Sequence, residues 1–377
     1  MKANWRKILT PLVATFGSLV IIDSLFMFVA PKAAIEFSLR GNRPQTDAPA
    51  SAVTRSGVPP EYHSNFPRLV GYTKADVDRS AKYPTQYFSD FKSHNLNNNS
   101  YDSILAIKNG GPTIYSVRYS FDQYGRRGTG TPKTSPKKNV LCLGDSLTFG
   151  EGLRQGADYP SMLNSKLGAN FQVHNFGWHG NGINDVFLNL DNKTALDGVK
   201  SLPTDLVWLY IADHLNRFFC PLSCERNDLF RYVRSKPKIA RHGSKIEALG
   251  TFRDDNSPFR LLLILLSHSA LLKAFNIEIP FQYSKADLEL FADTFVAVRD
   301  KIASRVPVEN FFLISPVYQD MYLAELRPIL EERGIRVIDL DRYHDQINFP
   351  IGIPLDGHST SEFNWFFTDA ILSLFRT

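Results

Sequence analysis

The chain has 377 residues, 43% hydrophobic and 21% charged, with a formal net charge of +5. That is the composition of a folded protein long enough for one large domain or two modest ones. Its basic residues form no stripe interleaved with aromatics, which argues against a nucleic-acid partner. Three cysteines are too few for a disulfide framework.

Lys2, Arg6 and Lys7 give a basic leader, and Ile8 to Ala30 follow as an apolar stretch broken only by Asp23. About 20 apolar residues span a bilayer as a helix. The sequence therefore predicts a membrane anchor over residues 1–35, embedded through residues 8–30. Asp23 costs about 2.5–3.5 kcal/mol at a bilayer centre, which the remaining apolar residues offset. A cleaved signal peptide is the rival, but its apolar region is normally shorter. Lys32, Arg40 and Arg43 weaken the charge bias across the segment. A short basic leader nevertheless usually stays in the cytoplasm. The expected location is single-pass in the inner membrane, with the body of the chain on the periplasmic side.

Residues 36–66, rich in Pro, Ser, Ala and Gly, read as a linker. Residues 67–135 read as an irregular extension. In it "NLNNNS" (95–100) and "GTGTPKTSPKK" (128–138) are loops, and "IYSVRYSFD" (114–122) alternates like a strand.

From 136 to 377 strand-like and helix-like segments alternate. Apolar runs over 139–145, 171–177, 205–213, 310–317 and 336–340 have strand length. Residues 159–168, 288–305, 324–334 and 360–375 have helical spacing, the last capped by Thr360 or Ser361. Continuous apolar strands separated by helices predict an α/β fold with a three-layer, doubly wound parallel sheet. Such sheets carry their sites at the carboxyl ends of strands. "RLLLILLSHSALLKAF" (260–275) is too short to span a membrane comfortably. It reads either as a buried or lid helix, or as a helix that touches the outer membrane leaflet or covers an acyl-binding groove. Cys142 reads as a small core residue. Cys220 and Cys224 either bridge locally or are two separate thiols.

Four clusters follow predicted strands. Gly144-Asp145-Ser146 ends the first, and Ser146 there is either a helix cap or a nucleophile. A nucleophile needs a base, and the base needs an orienting carboxylate. Asp356 and His358 in "PLDGHSTSEFN" (354–364) offer that pair. Among the other histidines only His214 combines a post-strand position with an adjacent carboxylate. An oxyanion needs donors, and the glycines of "NFGWHGNG" (175–182) let backbone N–H groups approach a ligand. "IADHLNR" (211–217) adds Asp213, His214, Asn216 and Arg217. A metal site built on His174 and His179 is a weaker reading, because that spacing lacks helix-type ligand geometry. No cofactor is expected.

From about residue 139 onward the chain resembles the SGNH, or GDSL, hydrolases. "GDSLTFGEG" is similar to their first block, "NFGWHG" to the second and "DGHST" to the acid–base block. "YSFDQYGRRG" (119–128) is similar to the lead-in of many membrane-anchored bacterial members. The resemblance implies a flavodoxin-like sheet and a Ser146, His358 and Asp356 triad. It also implies that the N–H groups of Ser146 and Gly180 form an oxyanion hole. The third block departs: Asp213 stands where the family has an oxyanion-hole asparagine, and His214 is the candidate replacement donor. The short Asp356-Gly-His358 spacing resembles the alginate O-acetyltransferase-like branch.

Three functions follow as expectations. The first is an anchored extracytoplasmic serine esterase acting on small acyl groups of cell-envelope carbohydrate. The second is a polysaccharide O-acetyltransferase using the same triad. The third, suggested by the altered third block, is a non-catalytic polysaccharide-binding or assembly protein.

Overall fold

The structure is a computed structural model that describes residues 100–106, 113–122, 124–226, 231–316, 322–353 and 356–375. The expected anchor, the linker and residues 67–99 lie outside the described residues. Among the described residues no helix is long and apolar enough to cross a membrane.

The described residues divide into two compact units. The larger runs up to Phe218 and resumes over Lys236–Leu249 and from Ser284 onward. It opens with an antiparallel pair, β1 (Ser100–Ala106) and β2 (Thr113–Ser120). The alternation over 114–122 marks β2; the sequence reading had no strand at β1.

The chain then enters β3 (Lys138–Gly144), α1 (Ser146–Phe149), α2 (Tyr159–Lys166), β4 (Phe171–Gly177), α3 (Ile183–Asn189), β5 (Thr204–Leu209) and α4 (Asp213–Phe219). A two-stranded sheet of β6 (Pro237–His242) and β7 (Lys245–Thr251) follows. Later come α8 (Lys285–Ala303), β8 (Val308–Ser315), α9 (Leu323–Glu332), β9 (Arg336–Asp339) and α10 (Ser361–Leu372). The intervening α5, α6 and α7 belong to the smaller unit.

The main sheet is five-stranded and parallel throughout, in the order β4-β3-β5-β8-β9. Alternate residues explain its three layers. Val140, Cys142, Val207, Leu209, Phe312 and Ile314 share a core with Tyr159 and Leu163 of α2 and Phe363, Phe367 and Ile371 of α10. On the opposite face Trp208 and Phe311 meet Phe295 of α8, with ring centroids 5.3 and 5.8 Å apart. Both faces are covered, so the strands are continuously apolar rather than alternating. Each fully buried aliphatic or aromatic side chain contributes about 1.5–3 kcal/mol.

Because β3 lies between β4 and β5, the winding reverses at its carboxyl end. That reversal is the crevice where ligands bind in open parallel sheets. Ser146 follows β3 directly.

The smaller unit comprises the described residues of Phe219–Ser235 and Gly250–Tyr283. It contains α5 (Leu222–Arg226), α6 (Pro258–Leu266) and α7 (Ala270–Ala274). Leu222, Leu263 and Leu272 form one small core, and Cys220, Cys224, Val233 and Phe252 another. Both cysteines are buried free thiols, so the local bridge is not formed. Arg260 is buried, donates to the Cys220 carbonyl at 3.0 Å and pairs with Glu225. On α6 only Arg260 and Leu263 are buried, while Phe259, Leu261, Leu262 and Leu265 are exposed. Residues 260–275 thus form two short helices, and the reading of them as one buried helix is corrected by the split and by the exposure of α6.

Candidate active site

The serine turn is built before the serine is reached. Asp145 adopts an extended backbone and caps α1, its Oδ1 accepting from Leu147 N–H at 2.9 Å. Acidic caps suit the positive end of a helix. Its other oxygen accepts from Arg217 Nη1 at 2.6 Å, both side chains being buried. Burial opposes ionisation of Asp145, but the Arg217 charge and His214 together hold it well below the usual carboxylate range. Asp145 therefore braces the turn and leaves Ser146 as the group that faces outward. Gly177, at the end of β4, permits this approach: a Cβ there would stand 2.3 Å from the Phe149 nitrogen.

His358 and Asp356 arrive from the far end of the chain. Their loop folds on itself: Ile353 N–H donates to the His358 carbonyl at 2.6 Å and Thr360 N–H to the Ile351 carbonyl at 2.9 Å. Thr360 then caps α10 by accepting from Phe363 N–H. Gly357 between the two residues has φ +87°, a conformation that glycine adopts without strain. The left-handed step lets two side chains only two positions apart meet. His358 Nδ1–H donates to Asp356 Oδ2 at 2.6 Å, and Nε2 lies 2.9 Å from Ser146 Oγ. The short Asp-Gly-His spacing is thus compatible with a continuous Ser146–His358–Asp356 line. Ser146 is 8% exposed, and the side chains of His358 and Asp356 27% and 11%, so the line is reachable from solvent. Burial pulls the His358 imidazole down, but the charge and hydrogen bond of Asp356, with Glu151 and Asp145 beyond, raise it to about 9.

The turn after β4, which carries Gly180, is held close to the serine. Trp178 N–H donates to the Gly144 carbonyl at 3.2 Å, and Arg217 Nη1 to the Asn181 carbonyl at 3.1 Å.

The expectation for His214 is corrected. The ring is fully buried; Nδ1 accepts from Trp208 Nε1 at 3.3 Å and from Ile211 N–H at 3.2 Å. Its Nε2 faces Asp145 Oδ2 at 3.4 Å. His214 therefore supports Asp145 from below and offers no donor to an oxyanion. Asp213 turns aside, lying 3.2 Å from Arg217 Nη2 and accepting from Asn216 at 3.3 Å.

Arg127 and Glu151 were not singled out from sequence. Arg127, inside the "YSFDQYGRRG" lead-in, donates to the carbonyls of Phe149, Gly150, Leu153 and Arg154 at 2.6–3.1 Å and pairs with Asp158. Glu151, five residues after the serine, is 1% exposed. Among the described residues, no group of three His, Cys, Asp or Glu side chains is placed to hold a metal ion.

No protein-family model and no curated protein matches the chain. Solved structures with a similar fold include a member of the lipolytic G-D-S-L family from Veillonella parvula, 13% identical with a TM-score of 0.33, covering 64% of this chain and 100% of that one. A carbohydrate acetylesterase family member from Sinorhizobium meliloti is 14% identical with a TM-score of 0.33, over 63% and 97% of the two chains. LAE5, an alpha/beta hydrolase enzyme from the metagenome of Lake Arreo, Spain, is 17% identical with a TM-score of 0.36, over 66% and 98%. At these scores the likeness adds nothing to the strand order already described.

Proposed function

We propose that the chain is a serine esterase of the SGNH type. The observation that carries this reading is the unbroken hydrogen-bonded line from Ser146 Oγ through His358 to Asp356. Nucleophile, base and orienting carboxylate within hydrogen-bond reach are what acyl transfer from a serine requires.

Ser146 Oγ forms a bond to the ester carbonyl carbon while His358 Nε2 takes its proton. Asp356 holds Nδ1–H and stabilises the imidazolium. The backbone N–H groups of Ser146 and Gly180 receive the oxyanion. The carbonyl–alkoxy bond then breaks and His358 returns the proton to the departing alcohol. Water, deprotonated by His358, next attacks the acyl-enzyme; the acyl carbon–Oγ bond breaks, the acid leaves and Ser146 regains its proton. The sequence resemblance and the apolar segment 8–30 support small acyl groups on cell-envelope carbohydrate as substrates, met on the periplasmic side of the inner membrane. A sugar hydroxyl replacing water would make the same site an O-acetyltransferase, the reading to which the Asp-Gly-His spacing lends support.

The full chain in detergent should hydrolyse p-nitrophenyl acetate and be labelled at Ser146 by a fluorophosphonate. Ser146→Ala should abolish labelling and lower turnover by about 10⁴-fold or more. Unlabelled wild type without turnover would leave the non-catalytic binding protein as the better account.

A further inference from the structure

Glu151 sits where three segments meet. It lies on the serine loop, one residue beyond Gly150, which closes α1. Strand β2 reaches it with two buried tyrosines: Tyr115 Oη–H donates to Oε1 at 2.8 Å and Tyr119 Oη–H at 3.3 Å. The Tyr119 hydroxyl in turn accepts from Gly152 N–H at 2.8 Å. From the turn after β4, His179 brings Nδ1 to 2.5 Å from Oε2. His179 immediately precedes Gly180. A carboxyl buried this deeply costs several kcal/mol as an anion unless it is fully paired. Arg127, which grips the same loop, is spent on the carbonyls of Phe149, Gly150, Leu153 and Arg154 and on Asp158.

We infer that Glu151 is a positioning residue: its close contact with His179 Nδ1 fastens the Gly180 turn to the serine loop, and while protonated it keeps a negative charge away from His358. The inference rests on the esterase reading, because it concerns how that site is held. Two titration tendencies agree with the geometry. Burial is the largest influence on Glu151; the His358 charge opposes it, Asp356 reinforces it, and the carboxyl rises to about 8. Burial, with the charges of His358 and Arg127, pushes His179 well below the usual imidazole range, Asp145 alone acting the other way. Both tendencies favour the uncharged forms, and Nδ1 and Oε2 lie 2.5 Å apart. As pH rises past about 8 the carboxylate forms. It adds to the pull of Asp356 and Asp145 that keeps His358 protonated. The base then needs a higher pH to become free.

The test uses the full chain in detergent and the rate of fluorophosphonate labelling from pH 5 to 10. Glu151→Gln keeps an acceptor for the tyrosines and a donor for His179 but carries no charge. It should label at close to the wild-type maximum, with the rise in rate moved about 1 unit to lower pH. Glu151→Ala loses the link, and its maximal rate should fall about 10–100-fold, as a misplaced reacting group costs. Equal damage in both variants, or a Gln profile superimposed on wild type, would overturn the inference. Wild type that is never labelled at Ser146 would instead sink the esterase reading. The ¹⁵N imidazole signals of His179 would then decide: an Nδ1 signal kept in Glu151→Gln and moved in Glu151→Ala supports the link, and signals unchanged in both overturn it.

Discussion

Asp145, beside Ser146, holds the serine turn from below. It caps α1, accepts from Arg217 at 2.6 Å and faces His214 at 3.4 Å, all out of water. Replacing Arg217 by Met would leave a buried carboxylate without its cation. Such removals cost about 3–5 kcal/mol, and chemical denaturation at pH 7 should show a loss of that size. The sign with pH follows from the depressed carboxyl. Its stabilisation is present above the unfolded value of about 3.9 and drains away as pH falls through the lower folded value. The Arg217→Met penalty should therefore be large at pH 7 and smaller at pH 3. A cost below about 1 kcal/mol at pH 7 would contradict this account of the turn. The sequence marks Asp145 as a brace of the turn but not its partner: Arg217 lies 72 positions away, and only the fold brings the two charges together.

The elements divide by how they are buried. The five parallel strands are legible because both faces are covered, so each is a plain apolar run. The hairpin β6–β7 escaped because its residues are largely half-buried or exposed and carry Lys, Arg and Glu at close spacing. The strand predicted over 205–213 overshoots: Tyr210 and Ile211 continue the apolar run after β5 has ended, and Asp213 already opens α4. The lead-in turn was legible only as a resemblance, and its physical role emerges from Arg127. That guanidinium lies 4.7 Å over the Tyr119 ring while its forked donors collect four carbonyls of the loop after the serine. A lysine presents a point charge and lacks the fork. Arg127→Lys should therefore lose part of this bracing and Arg127→Met nearly all of it. The Met variant also strands Asp158 beneath the surface, at about 3–5 kcal/mol. Thermal unfolding should rank wild type above Lys above Met, and equal melting of all three would show that the loop holds without its brace.

At the scale of the whole chain, the proposed chemistry and the expected location make separate demands. If Ser146, His358 and Asp356, which are reachable from solvent, act as the proposed triad, the compartment set by the amino-terminal segment determines which esters they meet. Ile8 to Ala30 are long enough to cross a bilayer, with Asp23 the single charge inside. A segment held by hydrocarbon resists extraction that strips proteins bound by charge alone, because no surface electrostatic contact survives high salt and alkaline pH. The full chain should therefore stay in the membrane pellet after alkaline carbonate. A variant lacking residues 1–35 should appear in the soluble fraction and still be labelled at Ser146 by fluorophosphonate. Protease added to spheroplasts should degrade the body of the full chain if it faces the periplasm. Release of the full chain by carbonate, or a shorter mature protein starting after Ala30, would favour the cleaved signal peptide. Such a protein would meet periplasmic esters as a free enzyme instead of those within reach of the membrane.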